Sequence, residues 1–240
     1  MAAAKYDVLA IGNAIFDVLV RTDEGFLAAH GMTKGGMALI DEARAASIYA
    51  DMGPATEMSG GSAAVTPDGE RTMNTYLGAA QDLSPADIDP DTVAAASILY
   101  LEGYLWDPKA AKDAFLKASR IAHDAGRHVA LTLSDAFCVD RYRDEFLALM
   151  RDGTVDLIFA NESELHSLYQ TSDFDTALAQ LRKDIALGVV TRSEKGCVVA
   201  MEAGVVAVPA CPIDNLVDTT GAGDLFAAGF LFGLVRGASH

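Results

Sequence analysis

A glycine-rich turn next to an acidic residue is the strongest chemical signal in the chain. The stretch DTTGAGD, residues 218–224, directly precedes the apolar run LFAAGFLFGLV. We predict that the turn opens a helix over Leu225–Val235, whose free N–H groups and dipole attract an anion. Asp224 would lie in the first turn, where a carboxylate can take a proton from a hydroxyl while the amides stabilise a transferred phosphoryl group.

A simpler interpretation of Asp224 stays open, because an acidic residue in a first turn also complements the helix dipole, by about 0.3–1 kcal/mol. Other phosphate-binding signatures are missing: the sequence has no GxxxxGK[ST] loop, and no GxGxxG follows a predicted strand. These absences exclude a P-loop enzyme and a dinucleotide-binding fingerprint.

The histidines and cysteines show no zinc-type spacing, which argues against a metal site built from protein ligands alone.

Composition and charge restrict the partners and the compartment. The 240 residues are 51% hydrophobic and carry a formal net charge of −16, so we expect a sizeable core and repulsion of nucleic acid and anionic membranes. Three cysteines without a CxxC spacing are typical of a reducing compartment. No apolar run of about 18 residues and no signal-peptide pattern occurs, so we expect a cytoplasmic protein.

Short apolar runs alternate with segments of helical spacing, which predicts βαβ units and a mostly parallel sheet. Two stretches, 65–76 and 197–210, have the pattern of hairpins instead. Ligands of open α/β sheets bind beyond the carboxyl ends of the strands. The polar residues that follow predicted strands, and that we expect to form one composite site, are Asn13, Asp17, Glu102, Asp135, Asn161, Glu164 and 191–196.

Five motifs in a fixed order carry a resemblance to a known family. They are GNAIFDVLV, SGGSAA, NESEL, VVTRSEKG and DTTGAGD. Together they resemble the signatures of the ribokinase-like (PfkB) carbohydrate kinases, and LEGYLWD and TRSEKG are most similar to the adenosine kinase-like branch. The resemblance implies a three-layer α-β-α sandwich with a mostly parallel central sheet and a small β lid. It also implies ATP-dependent phosphorylation of a primary hydroxyl, with adenosine favoured over ribose or fructose.

The resemblance implies a role for each motif residue. Asp224 would be the catalytic base, and the anion hole would be made by Gly221, Ala222 and Gly223. The substrate would be held by Asn13, Asp17, Lys34, Gly35, Gly36, Met37, Gly60 and Gly61. ATP and Mg²⁺ would be held by Asn161, Glu164, Thr191, Arg192, Ser193 and Gly196, with the metal bound through water and phosphates rather than directly. A monovalent cation and a homodimer are left open.

Several of these residues also have simpler interpretations. Asp17 could be one polar residue in a strand-to-loop passage, and the glycines at 60 and 61 a plain turn. Asn161 and Glu164 could merely cap the helix ESELHSLY, and Arg192 could be a solvated surface charge.

The domain prediction is a single α/β domain over residues 1–240, with a small lid from residues of about 12–40 and 65–80. Family members are longer: Ala64 runs directly into VTPDGERTMNTY, and the chain stops at His240 soon after the apolar helix. Either the sequence omits mobile segments, which we favour because loss of a central strand would leave backbone groups unpaired, or the protein is shortened. A shortened chain would favour the alternative of a catalytically inactive relative that binds a nucleoside or nucleotide.

Overall fold

Strands and helices alternate along most of the chain. The computed structural model describes residues 4–13, 16–34, 37–59, 64–65, 71–213 and 221–238. In chain order the elements are β1 (Tyr6–Ile11), β2 (Phe16–Leu19), α1 (Glu24–Ala29), β3 (Met37–Leu39), α2 (Glu42–Asp51), β4 (Thr56–Ser59), β5 (Ala64–Val65), β6 (Arg71–Thr75), α3 (Pro90–Ala94), β7 (Ala96–Glu102), α4 (Lys109–Asp124), β8 (His128–Thr132), α5 (Ala136–Arg151), β9 (Leu157–Asn161), α6 (Glu162–Tyr169), α7 (Phe174–Asp184), β10 (Leu187–Thr191), β11 (Cys197–Met201), β12 (Gly204–Val208) and α8 (Ala222–Val235). Short 3-10 turns follow β7 (Gly103–Trp106) and β10 (Ser193–Lys195).

The larger of two compact units contains one seven-stranded sheet. This unit comprises Met1–Gly12, Asp82–Val217 and Gly223–His240. Its strand order is β1-β7-β8-β9-β10-β11-β12. The first five strands are parallel, while β11 pairs antiparallel with β10 and β12 pairs antiparallel with β11. This pairing confirms both the mostly parallel sheet and the hairpin at 197–210.

Helices cover both faces of this sheet. Side chains of a strand alternate between faces, so Ile98, Phe159 and Val189 point to one face, where they pack with Ala227 and Leu231 of α8. The intervening residues point to the other face, which α4, α6 and α7 cover. At Gly188, a Cβ would meet the Leu181 side chain at 2.6 Å, so α7 approaches that face closely. The three-layer α-β-α architecture is thereby confirmed.

The smaller unit comprises Asn13–Gln81 and Asp218–Ala222. It contains the antiparallel pair β2–β4 and a three-stranded sheet in the order β3-β6-β5. The pairs Ala64 with Thr72 and Val65 with Arg71 confirm the predicted hairpin, and the junction after Ala64 lies inside β5. A lid made from residues of about 12–40 and 65–80 stays a prediction.

One element boundary differs from the sequence prediction. We expected the C-terminal helix to begin at Leu225, but α8 begins at Ala222. Ala222 and Gly223, which we expected in the turn before the helix, therefore lie in its first turn. The N–H groups of a first turn have no partner within the helix. None of the helices in the described ranges combines the length and the apolar character that a membrane crossing requires.

Candidate active site at the carboxyl edge of the sheet

Polar side chains gather where the parallel strands of the large sheet end, which we call the carboxyl edge. Glu102, Thr132, Asn161 and Thr191 are the last residues of β7, β8, β9 and β10. Register pairs join Glu102 to Thr132 and Thr191 to Asn161, so these residues lie on neighbouring strands. By the alternation of side chains, Glu102, Asn161 and Thr191 share the face that α8 covers.

Asn161 and Glu164 form a reciprocal cap at the start of α6. The Asn161 N–H donates to Glu164 Oε2 at 3.0 Å, and the Glu164 N–H donates to Asn161 Oδ1 at 2.9 Å. Asn161 Nδ2 also donates to Glu164 Oε1 at 2.5 Å. The capping interpretation is therefore confirmed by geometry, and it is compatible with a second role because the cap lies at the carboxyl edge.

The carboxyl group of Glu164 is held in an environment that disfavours its charge. Glu164 is only 4% exposed. Burial raises the pKa of Glu164 to about 7, the backbone hydrogen bond from Asn161 opposes this shift, and the carboxylate of Asp135 adds to it. Strongly perturbed acids in a polar cluster are typical of functional sites.

The first turn of α8 brings Asp224 to the same edge. Burial raises the pKa of Tyr100 to about 12, a hydrogen bond with Thr132 opposes this shift, and the carboxylates of Asp224, Glu102 and Glu164 add to it. The Tyr100 hydroxyl is therefore close enough to be affected by carboxylates of α8, of the end of β7 and of the first turn of α6. Asp224 itself is exposed to solvent.

The backbone before Asp224 is open to a ligand. Gly221 has a φ of +68° and immediately precedes the helix. Among the residues that the structure describes, a Cβ built at Gly221 or Gly223 would meet no atom within 4 Å, so packing against them does not require either glycine. Ala222 and Gly223 are exposed and begin α8, where N–H groups point out of the helix. The geometry can therefore present backbone donors beside a carboxylate.

The turn after β10 is tightly built. Gly196 has a φ of +89°, and a Cβ there would meet the Val208 carbonyl oxygen at 2.0 Å, so only glycine fits. The turn closes through hydrogen bonds from the Arg192 N–H to the Gly196 carbonyl and from the Gly196 N–H to the Ser193 carbonyl, at 2.8 and 3.1 Å. Ser193 is exposed and also has a positive φ, of 51°.

Arg192 is not a solvated charge, and that simpler interpretation is wrong. Its guanidinium donates to both carboxylate oxygens of Glu162, at 3.3 and 3.0 Å. It also lies 3.6 Å from the ring centroid of Phe174, and its side chain is 24% exposed. An ion pair and an aromatic face hold this cation in one place beside the end of β10.

The proposed substrate residues belong to the smaller unit. Asn13 is half-buried and follows β1, while Asp17 and Met37 have backbone positions in β2 and β3. Lys34 forms an ion pair with Glu24, at 3.2 Å between Nζ and Oε1. Four further predicted residues lie outside the described residues: Gly35, Gly36, Gly60 and Gly61.

Sequence reasoning missed the turn that joins β8 to α5. Ser134 has a φ of 70°, and the Asp135 N–H donates to the Leu133 carbonyl at 2.9 Å, which makes a strained three-residue turn. Asp135 then caps α5 by accepting from the Cys138 N–H at 2.7 Å. Phe137 follows with 73% of its surface exposed. The signal available in the sequence was the stretch Ser134-Asp135-Ala136-Phe137, in which an aromatic residue follows an acid two positions later, shortly after a predicted strand.

The donor atoms at this edge bear on how a metal that accompanies ATP would be held. Within the described ranges, no group of three or more His, Cys, Asp or Glu side chains could hold a metal ion. Both oxygens of Glu164 already accept hydrogen bonds from Asn161. This donor set fits a metal that is held mainly by phosphates and water, and does not fit a protein cage.

The chain is similar to known proteins over most of its length. The family described as pfkB family carbohydrate kinase matches residues 26–240. The solved adenosine kinase of Sinorhizobium meliloti is 46% identical, with a TM-score of 0.90 over 98% of this chain and 89% of that one. The solved probable sugar kinase of Rhizobium etli CFN 42 is 43% identical, with a TM-score of 0.90 over 98% and 88%.

A sequence relative is the adenosine kinase of Saccharomyces cerevisiae, 31% identical over 193 residues, which cover 75% of this chain and 56% of the yeast protein. The chain spans 37–58% of the length of the curated relatives that it matches.

Proposed function

The chain belongs to the pfkB family of carbohydrate kinases, and we propose that it transfers the γ-phosphoryl group of ATP to a primary hydroxyl of a nucleoside or sugar, with adenosine favoured over ribose or fructose. One observation carries this proposal: an exposed carboxylate, Asp224, stands in the first turn of α8 beside Ala222 and Gly223, which are exposed as well. A base and an anion-binding helix start are the two elements that phosphoryl transfer to an alcohol needs.

In this mechanism Asp224 takes the proton of the acceptor hydroxyl as that oxygen attacks the γ-phosphorus. The N–H groups of the segment Gly221, Ala222 and Gly223 stabilise the charge on the transferred group. Mg²⁺, when bound with ATP, neutralises the charge of the phosphates. Asn161 and Glu164, at the start of α6, would hold water molecules that bind this metal.

The turn 191–196 provides the ATP side of the site. Thr191 and Ser193 offer hydroxyl groups, and Arg192 offers a cation that Glu162 and Phe174 hold in place. Gly196 lets the turn close against the Val208 carbonyl. These features support the proposal because a fixed cation loses little conformational entropy when it meets a phosphate.

The acceptor side combines polar and aromatic groups. Asn13 and Asp17 would bind hydroxyls of a ribose, with Lys34, Gly35, Gly36, Met37, Gly60 and Gly61 around them. Phe137 favours a nucleoside over a simple sugar, because an exposed aromatic ring at the carboxyl edge can stack on a base. The Sinorhizobium meliloti relative is named an adenosine kinase, which supports the same choice. We also propose a cytoplasmic location, since Cys138, Cys197 and Cys211 are free thiols.

The proposal is tested by assaying the protein with Mg-ATP and adenosine, cytidine, ribose or fructose as acceptor. We expect the highest kcat/KM for adenosine, and a tenfold or greater preference would correspond to about 1.4 kcal/mol of transition-state discrimination. A preference for fructose or ribose would keep the kinase and overturn the nucleoside. Calorimetric binding of adenosine without phosphoryl transfer to any acceptor would support the inactive relative instead.

A further inference from the structure

The only tryptophan of the chain is buried at the start of a polar network. Trp106 is 3% exposed, and its ring lies 5.9 Å from that of Phe115 and 5.8 Å from that of Phe146, centroid to centroid. Its Nε1–H donates to Glu145 Oε2 at 3.0 Å. Lys112 donates to both oxygens of the same carboxylate, at 2.9 and 2.8 Å. The indole is therefore tied to α5 by packing and by hydrogen bonds.

The network continues to a kink in α5. Tyr142 has a φ of −123° and a ψ of 21°, which are not helical values. Its hydroxyl donates to Asp107 Oδ1 at 2.7 Å, and Arg141 donates to Asp107 Oδ2 at 3.1 Å. Lys112 Nζ lies 4.1 Å from the centroid of the Tyr142 ring. We call Trp106, Asp107, Lys112, Arg141, Tyr142 and Glu145 the Tyr142 cluster.

The kink divides α5 into two parts with different surroundings. The part after Tyr142 is anchored in the core by Phe146 and Met150. The part before it begins at the Asp135 cap, has Cys138 and Val139 fully buried, and carries the exposed Phe137 at the carboxyl edge. A backbone irregularity inside a helix changes the direction of the turns on either side of it. The direction of the first part of α5 thus depends on the conformation at Tyr142.

We propose that the Tyr142 cluster positions the first turns of α5, and with them Asp135 and Phe137, for binding of the nucleoside base. This inference rests on the proposed function. Tyr142 is a positioning residue, because its hydroxyl acts through Asp107 and the helix and lies outside the groups assigned to substrate. Trp106 belongs to the same cluster, so its fluorescence reports nucleoside binding.

The test replaces Tyr142 with phenylalanine, which removes one hydroxyl and keeps the ring beneath Lys112. We expect the KM for adenosine to rise about tenfold, below the ~100-fold that a 1 Å misplacement can cost, with kcat and the KM for ATP nearly unchanged. Adenosine binding can be followed by the fluorescence of Trp106, excited at a wavelength that adenosine does not absorb. The adenosine concentration at the midpoint of this titration should rise by a similar factor. Asp107→Asn keeps an acceptor for the Tyr142 hydroxyl and should have the smaller effect of the two.

The matched control is Tyr169→Phe. Tyr169 also donates to an aspartate that an arginine holds, since its hydroxyl lies 3.1 Å from Asp184 Oδ2 and Arg151 Nε lies 2.9 Å from Asp184 Oδ1. None of these three residues lies in the first turns of α5. The KM for adenosine and the midpoint of the Trp106 titration should therefore match those of the parent protein.

The outcomes separate the positioning role from the proposed function. Equal adenosine KM values and equal Trp106 titrations for Tyr142→Phe and Tyr169→Phe would overturn the positioning role while the kinase stands. A parent protein that binds adenosine without phosphoryl transfer would overturn the kinase, and the Trp106 titration would still decide the positioning role. A parent protein that does not bind adenosine would overturn the nucleoside substrate and the positioning role, while the assays with ribose and fructose would still decide the kinase.

Discussion

Carboxyl groups at the two edges of the seven-stranded sheet have different environments. At the edge where the strands begin, Asp184 accepts two hydrogen bonds from Arg151 and one from Tyr169, and Asp156 accepts from the Val129 N–H and faces His123. At the carboxyl edge, Glu164 is buried near the carboxylate of Asp135.

The tyrosines do not share this contrast, because burial and the carboxylate of Asp184 strongly raise the pKa of Tyr169 at the edge where the strands begin. Burial, together with the carboxylates of Asp135, Glu164 and Glu102, strongly raises the pKa of Tyr104. A protein gains stability by pairing its charges and loses it by burying like charges together. The edge that we propose to be functional thus combines a paired carboxylate, Glu162 with Arg192, and a buried one, Glu164 near Asp135, whereas Asp184 and Asp156 at the other edge are both compensated.

The largest effect should come from Asp224→Asn. Loss of the proton acceptor should lower kcat by about 10²–10⁴-fold with little change in stability, because the residue is exposed. Asp175→Asn is the matched control, since Asp175 is an exposed acid in the first turn of α7. Steady-state phosphotransfer assays measure both. A parent-like kcat for Asp224→Asn would mean that Asp224 only complements the helix dipole.

The second effect concerns the pH dependence of stability. The pKa of Glu164 is raised from its ordinary value of 4.5 to about 7, so the folded state holds this proton more tightly than the unfolded chain. Stability should therefore fall as pH rises from about 4.5 to 7, by roughly 3 kcal/mol in total. In Glu164→Gln this contribution should vanish, as denaturant titrations at several pH values would show. An unchanged slope would mean that Glu164 ionises as if exposed.

A third change should affect stability alone. Asp184 has a side chain that is 13% exposed, and Asp184→Asn weakens its paired hydrogen bonds from Arg151 and the bond from Tyr169. We expect a loss of about 2 kcal/mol in the free energy of unfolding, with kcat/KM unchanged. Asp113→Asn, which breaks an exposed pair with Lys109, should cost below about 0.5 kcal/mol. A large loss of activity in Asp184→Asn would break the division between the edges.

The smallest effect should come from Glu162→Gln and should have the opposite sign to that of Glu164. A hydrogen bond from Arg192 lowers the pKa of Glu162, so its stabilising contribution is present above the ordinary pKa of 4.5 and is lost as pH falls. The partly exposed ion pair should contribute below about 1 kcal/mol. Comparing the unfolding free energy of this variant with the parent at neutral and acidic pH measures it. A loss that grows on acidification would contradict the assignment.

Most of the secondary structure could be predicted from local patterns in the sequence. The strands β1 and β7 to β10, the apolar face of α4 and the hairpin β11–β12 follow from runs of apolar residues and from turn residues that act over a few positions. The expectation that polar residues at strand ends meet at one edge also follows, because parallel strands place their carboxyl ends together. The motif order then identified the family.

Tertiary structure alone decided the environments of those residues. Two glutamates of α6, only two positions apart, have pKa values shifted in opposite directions, because Arg192 reaches Glu162 from another strand end while burial encloses Glu164. The kink at Tyr142 and the strained turn at Ser134 likewise depend on contacts with Asp107 and Tyr104, about 30 or more positions away along the chain. Charge, burial and strain are properties of neighbours in space, and spacing along the chain does not reveal which neighbours the fold supplies.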